Sequence, residues 1–177
     1  MIKIFLKHIN IIIDYVVIIK IKLDYIMEDI YKLDIVPINR IAEDLTQSYR
    51  QQLSADGKNA SGTLSNTSSY LVNYDGKILK ISLLLEDYWK YVENDTKPHF
   101  PPIDKIRDWI RVKPVLPMAR NGKLPTENQL AYLIARKISK VGTTGSHSLK
   151  STIDKSNIYN KVINEIKNQI IEKLNSK

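Results

Sequence analysis

Apolar residues recur at three- and four-residue steps through Ile38, Ile41, Leu45, Tyr49 and Leu53. That spacing puts one apolar stripe along a helix, which Pro37 opens and Gly57 stops. Further on the period shortens to two. Leu79, Ile81, Leu83 and Leu85 alternate with Lys80 and Ser82, the pattern of a strand with one packed face and one partly wet face. Ser69–Tyr74 reads as its hairpin partner. Asp75-Gly76 between the two runs favours a two-residue type I′ turn, which sets Val72 opposite Leu79 and Tyr70 opposite Ile81. At the N-terminus, residues 15–22 are β-branched and favour a strand, with a buried helix as the open alternative.

Three more helices follow from the same reasoning. Pro102 opens one at a position where its missing N–H does no harm, and Ile103, Ile106 and Ile110 line one side with Trp109 beside them. Pro114 and Pro117 end it. Thr126 with Gln129 is a capping-box pair that starts the next helix. Leu130, Leu133, Ile134, Ile138 and Val141 form its predicted buried stripe, and Gly142 stops it. From about Ser151 to Lys177, Ile158, Val162, Ile166 and Ile170 recur every four residues, with Ile163 and Leu174 widening the stripe of a long amphipathic helix. Tyr88, Trp89 and Tyr91 cluster just after the hairpin and read as a core plug ahead of an interface anchor. Residues 54–69 are polar and read as a long mobile loop of the kind that partners put in order.

These elements predict an α+β fold: a small antiparallel sheet with a hairpin, flanked by helices, with an N-terminal arm and a long C-terminal helix. The expected organisation is an apolar arm or extension over residues 1–26, a domain over 27–150 and the amphipathic helix over 151–177. The isoleucine-rich arm is interrupted by Lys3, Lys7, Asp14, Lys20, Lys22 and Asp24. A membrane span needs about 20 mostly apolar residues, so none is expected here. Asp14 and the lack of an Ala-x-Ala site argue against a signal peptide. An apolar arm that no local core needs suits a neighbouring subunit. Ile12, Val16 and Ile18, together with Leu64 in the polar loop, are therefore the candidate inter-subunit contacts.

Charge changes the picture through its placement. Residues 97–150 hold eleven basic residues against three acids, which equals the whole chain's formal net charge of +8. A field concentrated in this way suggests an acidic neighbour, either nucleic acid or an acidic protein face, although a solvated surface accounts for the charge equally well. Lys105, Arg107, Arg111, Lys113, Arg120 and Lys123 are the candidate contacts to DNA or to an acidic partner.

The chemistry-bearing residues are sparse. With no cysteine, disulfides and thiol catalysis are excluded. His8, His99 and His147 show no metal-binding spacing, and no phosphate-cradling loop or nucleophile elbow occurs. Glu28-Asp29, Glu43-Asp44 and Glu86-Asp87 are adjacent pairs that point apart on a helix rather than forming an acid/base dyad. No enzyme, cofactor or metal is expected.

One string of residues carries a resemblance. Tyr88-x-x-Tyr91-Val92-Glu93 is followed by Lys97-Pro98, Pro101-Pro102, Ile106, Trp109-Ile110, then Ala131-Tyr132-x-Ile134-Ala135-Arg136-Lys137-Ile138 and Gly142-Thr143. In this order they resemble the tail-completion (neck) proteins of tailed bacteriophages, closely over about a third of the chain. Asp95 departs from a usual glycine, and His147-Ser148 replaces apolar residues. The resemblance implies an α+β ring subunit at the head–tail connector of the virion, made in the host cytoplasm and without catalysis. Its implied partners are further copies of itself, portal or adaptor and tail proteins, and the DNA in the channel through non-specific contact, with no membrane. The alternatives are an intracellular nucleic-acid-binding module and, supported only by size and basicity, a toxin or nuclease of a mobile element.

Overall fold

In a computed structural model the described residues are 11–14, 16–22, 33–76, 78–113, 115, 117, 119 and 122–176, of which 11–22 are described by their backbone alone. Strands β1 (Ile11–Asp14), β2 (Val16–Lys22), β3 (Ser69–Tyr74) and β4 (Ile78–Leu84) form one antiparallel sheet in the order β1-β2-β4-β3. The helices are α1 (Val36–Ala55), α2 (Thr63–Thr67), α3 (Trp89–Glu93), α4 (Ile103–Val112), α5 (Glu127–Val141), α6 (Ser148–Ser156) and α7 (Ile158–Asn175). The fold is α+β, as expected, and the strand expected over 15–22 is present as β2.

The sheet packs one face on α1. Leu79, Ile81 and Leu83 of β4 are buried against Ile38, Ala42, Leu45, Tyr49 and Leu53 of α1, with Ile158, Val162 and Ile166 of α7 closing the same cluster. Burying one such aliphatic side chain contributes about 1.5–3 kcal/mol, so this layer is the main source of stability. Trp89 is buried in the cluster, whereas Tyr91 is exposed, so the aromatic group divides between core and surface. Helix α1 ends in a Schellman motif: Lys58 N–H donates to the Leu53 carbonyl at 3.0 Å and Gly57 N–H to Ser54 at 3.1 Å, with Gly57 at φ +63°. Its entry is pinned by Gln169 of α7, whose amide accepts from Asp34 N–H at 2.9 Å and donates to Asp34 O at 3.0 Å.

Four expectations need correction. The hairpin pairs Tyr74 with Leu79, Val72 with Ile81 and Tyr70 with Leu83, two residues along from a two-residue turn. The reversal is centred one residue later than expected: Asp75 N–H donates to Ile78 O at 3.4 Å, and the Asp75 carboxylate accepts from Ile78 N–H at 2.7 Å. A slip of two keeps every side chain on its face, so the core is unaffected. Residues 54–69 are not a bare loop. Leu64 of α2 is buried in the chain's own core, and Arg50 holds the Ser68 hydroxyl and carbonyl. The expected long C-terminal helix is present as α7, but it starts later, at Ile158: Asn157 takes φ +50°, a left-handed conformation that Asn tolerates better than most residues, and separates it from α6. Both helices join the main core, and the expected boundary at 150/151 falls inside α6.

The last correction concerns α4 and α5. No residue of α4 is buried, and α5 buries only Ala131 and Ala135. Leu133 and Val141, expected inside, are exposed. The two helices contact each other as an arm outside the main core cluster, with Ala131 and Ala135 of α5 buried and the isoleucines of both helices half-buried.

Candidate functional site

The arm leaves the body after α3 and returns just before α6, and its two roots are locked together. Thr96 and Thr143 form an antiparallel bridge: Thr96 N–H donates to Thr143 O at 2.9 Å, and the two hydroxyls lie 2.7 Å apart. Gly142 makes this approach feasible. A Cβ there would lie 1.9 Å from the Thr96 carbonyl oxygen, and φ is +71°. Gly145 is equally crowded, 2.3 Å from the Glu93 carbonyl oxygen. Its N–H donates to the Asp95 carboxylate at 2.8 Å.

Glu93 completes the latch. Its side chain is buried, and its carboxylate accepts from Leu149 N–H at 2.8 Å and Lys150 N–H at 3.0 Å. These are amides of the first turn of α6, so a carboxylate from α3 caps a helix that has no side-chain cap of its own. Ser148 ties this turn to the end of α1, donating to Asp56 at 2.6 Å. Behind the latch lies Tyr49, whose hydroxyl is buried without a hydrogen-bond partner among the described residues. Burial pushes its phenol well above the ordinary value of 10.0, and the nearby Glu93 and Tyr88 add to the rise. Two lysines brace the arm from outside. Lys58 donates to Thr144 O at 3.0 Å and Lys113 to Gly57 O at 2.6 Å.

Asp95 and His147, the two departures from the neck-protein pattern, meet in space. His147 Nε2 lies 3.7 Å from the Asp95 carboxylate. His147 also sits at φ +52°, immediately before α6. The segments around Glu93 and Gly142-Thr143, far apart in sequence, therefore build one joint.

The candidate basic residues are sorted by this geometry. Arg111 pairs with Glu127 at 3.0 Å and approaches Asp108 at 3.7 Å. Arg107 is half-buried and donates to Asn128 at 3.2 Å, and Lys113 is taken up by Gly57. These three hold the arm together or to the body. Lys105 and Lys123 are exposed, and Arg120 lies outside the described residues. The residues missed are Arg136, Lys137 and Lys140, all exposed on α5. The helix dipole favours cations in the last turn, where only Lys140 of the three lies. Beside them Trp109 and Tyr132 are 39% and 52% exposed, and Tyr132 meets Phe100 with ring centroids 6.1 Å apart.

The candidate inter-subunit residues fare differently. Leu64 is only 4% exposed and belongs to the chain's own core, so it is not a surface contact. The backbones of Ile12, Val16 and Ile18 pair within the chain's own sheet, Ile12 with Ile18, Val16 with Leu84 and Ile18 with Ser82; their side chains lie outside the described residues. Residues 1–10, 15 and 23–26 of the expected arm also lie outside them. Among the described residues no three metal-ligating side chains cluster, and no helix is long and apolar enough to cross a membrane. A groove between α1 and the α6–α7 corner is lined by Asp44, Leu45, Gln52, Thr152, Lys155 and Ile158.

Fold and site together define a small α+β protein with a latched basic arm. Comparison with known protein families, curated proteins and solved structures returns no match to this chain.

Proposed function

We propose that the chain is a non-catalytic structural subunit of a tailed-phage head–tail connector, forming a ring with copies of itself between portal-side and tail proteins around the DNA channel. One observation carries the reading. The segments that resemble neck proteins fold into one joint, Glu93 and Thr96 against Gly142–Lys150, and the joint presents an exposed basic and aromatic arm. Such an arm has the composition of a contact surface, with cations and aromatics outside and small residues within. A ring of this kind needs adhesive surfaces and no reactive centre.

The test is the assembly state of the purified full chain. Closed rings by negative-stain electron microscopy, with the protein found by mass spectrometry in intact particles, are the expected results. A chain that stays monomeric at high concentration and is absent from particles refutes the reading.

The exposure of Trp109 and Tyr132 favours a second reading, a nucleic-acid-binding module, because exposed rings beside cations can stack on bases. It requires sequence-specific binding in about the nanomolar range that survives physiological salt, which a salt titration measures.

A further inference from the structure

We propose that the outer face of α5 is a contact surface for the phosphate backbone of duplex DNA, with Arg136, Lys137 and Lys140 as its cations. Ala131 and Ala135 define the inner face of the helix. At 100° per residue, Arg136 and Lys140 fall on the opposite side, with Lys137 next to them and Tyr132 on the flank. All four are exposed. The three cations have no ion-pair partner among the described residues, whereas Arg111 on α4 has two. The sole acid of α5, Glu127, lies more than two turns away and is one of those two partners.

The helix dipole does not account for this group. Its effect is confined to the last turn, where only Lys140 sits. Packing does not account for it either, since all three side chains are exposed and the main partner of α5 is α4. What remains is a ridge of three cations around the exposed Leu133, free of carboxylates. Arg136 and Lys140 are separated by about 6 Å of helix rise, close to two phosphate steps of about 3.4 Å along one strand. Long, flexible cations without fixed hydrogen-bond partners suit a uniform polyanion, which requires neutralisation and no directional readout. The charge complement favours the phosphate backbone over an acidic protein, whose carboxylates would come in a fixed pattern with geometry-matched partners.

The inference deepens the connector reading, on which the choice of duplex DNA rests, and adds α5 to the exposed candidates Lys105 and Lys123. The test uses the full chain and a fluorescent duplex of arbitrary sequence, titrated between about 50 and 200 mM salt. In the triple variant Arg136→Gln, Lys137→Gln, Lys140→Gln, the log–log salt slope becomes shallower by about 2.7 per engaged chain, at about 0.9 per phosphate contact. A control pair on α7, Lys161→Gln with Lys167→Gln, keeps the original slope. The substituted positions are exposed, so an unchanged melting temperature certifies the fold of both variants. Failure of the original chain to bind at low salt, an unchanged slope in the triple variant, or an equal loss in the control overturns the inference. So does tighter capture of polyglutamate than of duplex at equal charge, which assigns the face to an acidic protein. Mass photometry of the same samples reads ring formation separately. Rings without DNA binding overturn this inference alone, and DNA binding through α5 without rings supports it while removing the connector.

Discussion

Replacing Glu93 by alanine tests the latch at its most loaded point. The substitution removes both acceptors from the first turn of α6 and leaves two orphan amides. They are not equivalent. Leu149 is buried, so its N–H loses its partner without access to water, at about 2 kcal/mol. Lys150 is exposed and regains a water, so its loss is nearer 1 kcal/mol. The expected destabilisation is therefore about 3 kcal/mol, above the roughly 0.5–2 kcal/mol of an ordinary helix cap because two amides lose their acceptor and one of them is buried. For a chain of this size that lowers Tm by roughly 6–12 °C. Urea unfolding followed by far-ultraviolet circular dichroism gives the value, with the m-value unchanged. Amide exchange at Leu149 and Lys150 should accelerate more than at α7. A loss below about 0.5 kcal/mol, the range of an ordinary surface substitution, would refute the assignment of Glu93 as the cap of α6.

Three further outcomes are expected. Gly142→Ala drives a Cβ into the Thr96 carbonyl at a left-handed φ, so a loss of about 3 kcal/mol or more is expected in the same unfolding assay, and a neutral result contradicts the bridge geometry. Tyr49→Phe removes a buried hydroxyl without a partner and should leave stability at neutral pH unchanged or raise it by about 1 kcal/mol. Because the folded-state value of Tyr49 is raised, its contribution is complete below pH 10.0 and is lost as pH climbs from there towards the folded value; Tm measured up to strongly alkaline pH should fall less steeply in the Phe variant. Leu64→Ala should lose about 2–5 kcal/mol and open the 57–62 stretch to proteolysis at lower protease concentration, an effect that a partner-ordered loop would not show.

Much of the fold was legible because its signals are local. The α1 stripe, the Thr126–Gln129 capping box and the alternation in β4 each follow from a period or a pair a few residues apart. What was not legible depended on long-range competition. Leu64 is one apolar residue in a polar stretch, and nothing in the sequence says that Arg50 holds Ser68 to seat it. The period of α5 is compatible with more than one buried face, and small alanines at the α4 contact turned its large apolar residues outward. The hairpin partners shifted by two because the reversal is centred one residue past the Asp75-Gly76 pair, with the Asp75 carboxylate on the Ile78 amide. The basic residues of α4 looked like the free ones, yet Arg111 and Lys113 serve the arm's own structure. Glu93 had no sequence signal beyond belonging to a recognisable string, since a carboxylate capping a helix 56 residues away leaves no local pattern.

The bridge between Thr96 and Thr143 closes everything between them into a loop whose ends already touch. For the body, that excursion is thermodynamically almost invisible in length, since doubling a closed loop costs only about 0.6 kcal/mol. The arm can thus be lengthened, shortened or exchanged for a turn while the sheet and α1 fold unchanged. Evolution of what the molecule touches is thereby separated from evolution of what holds it up.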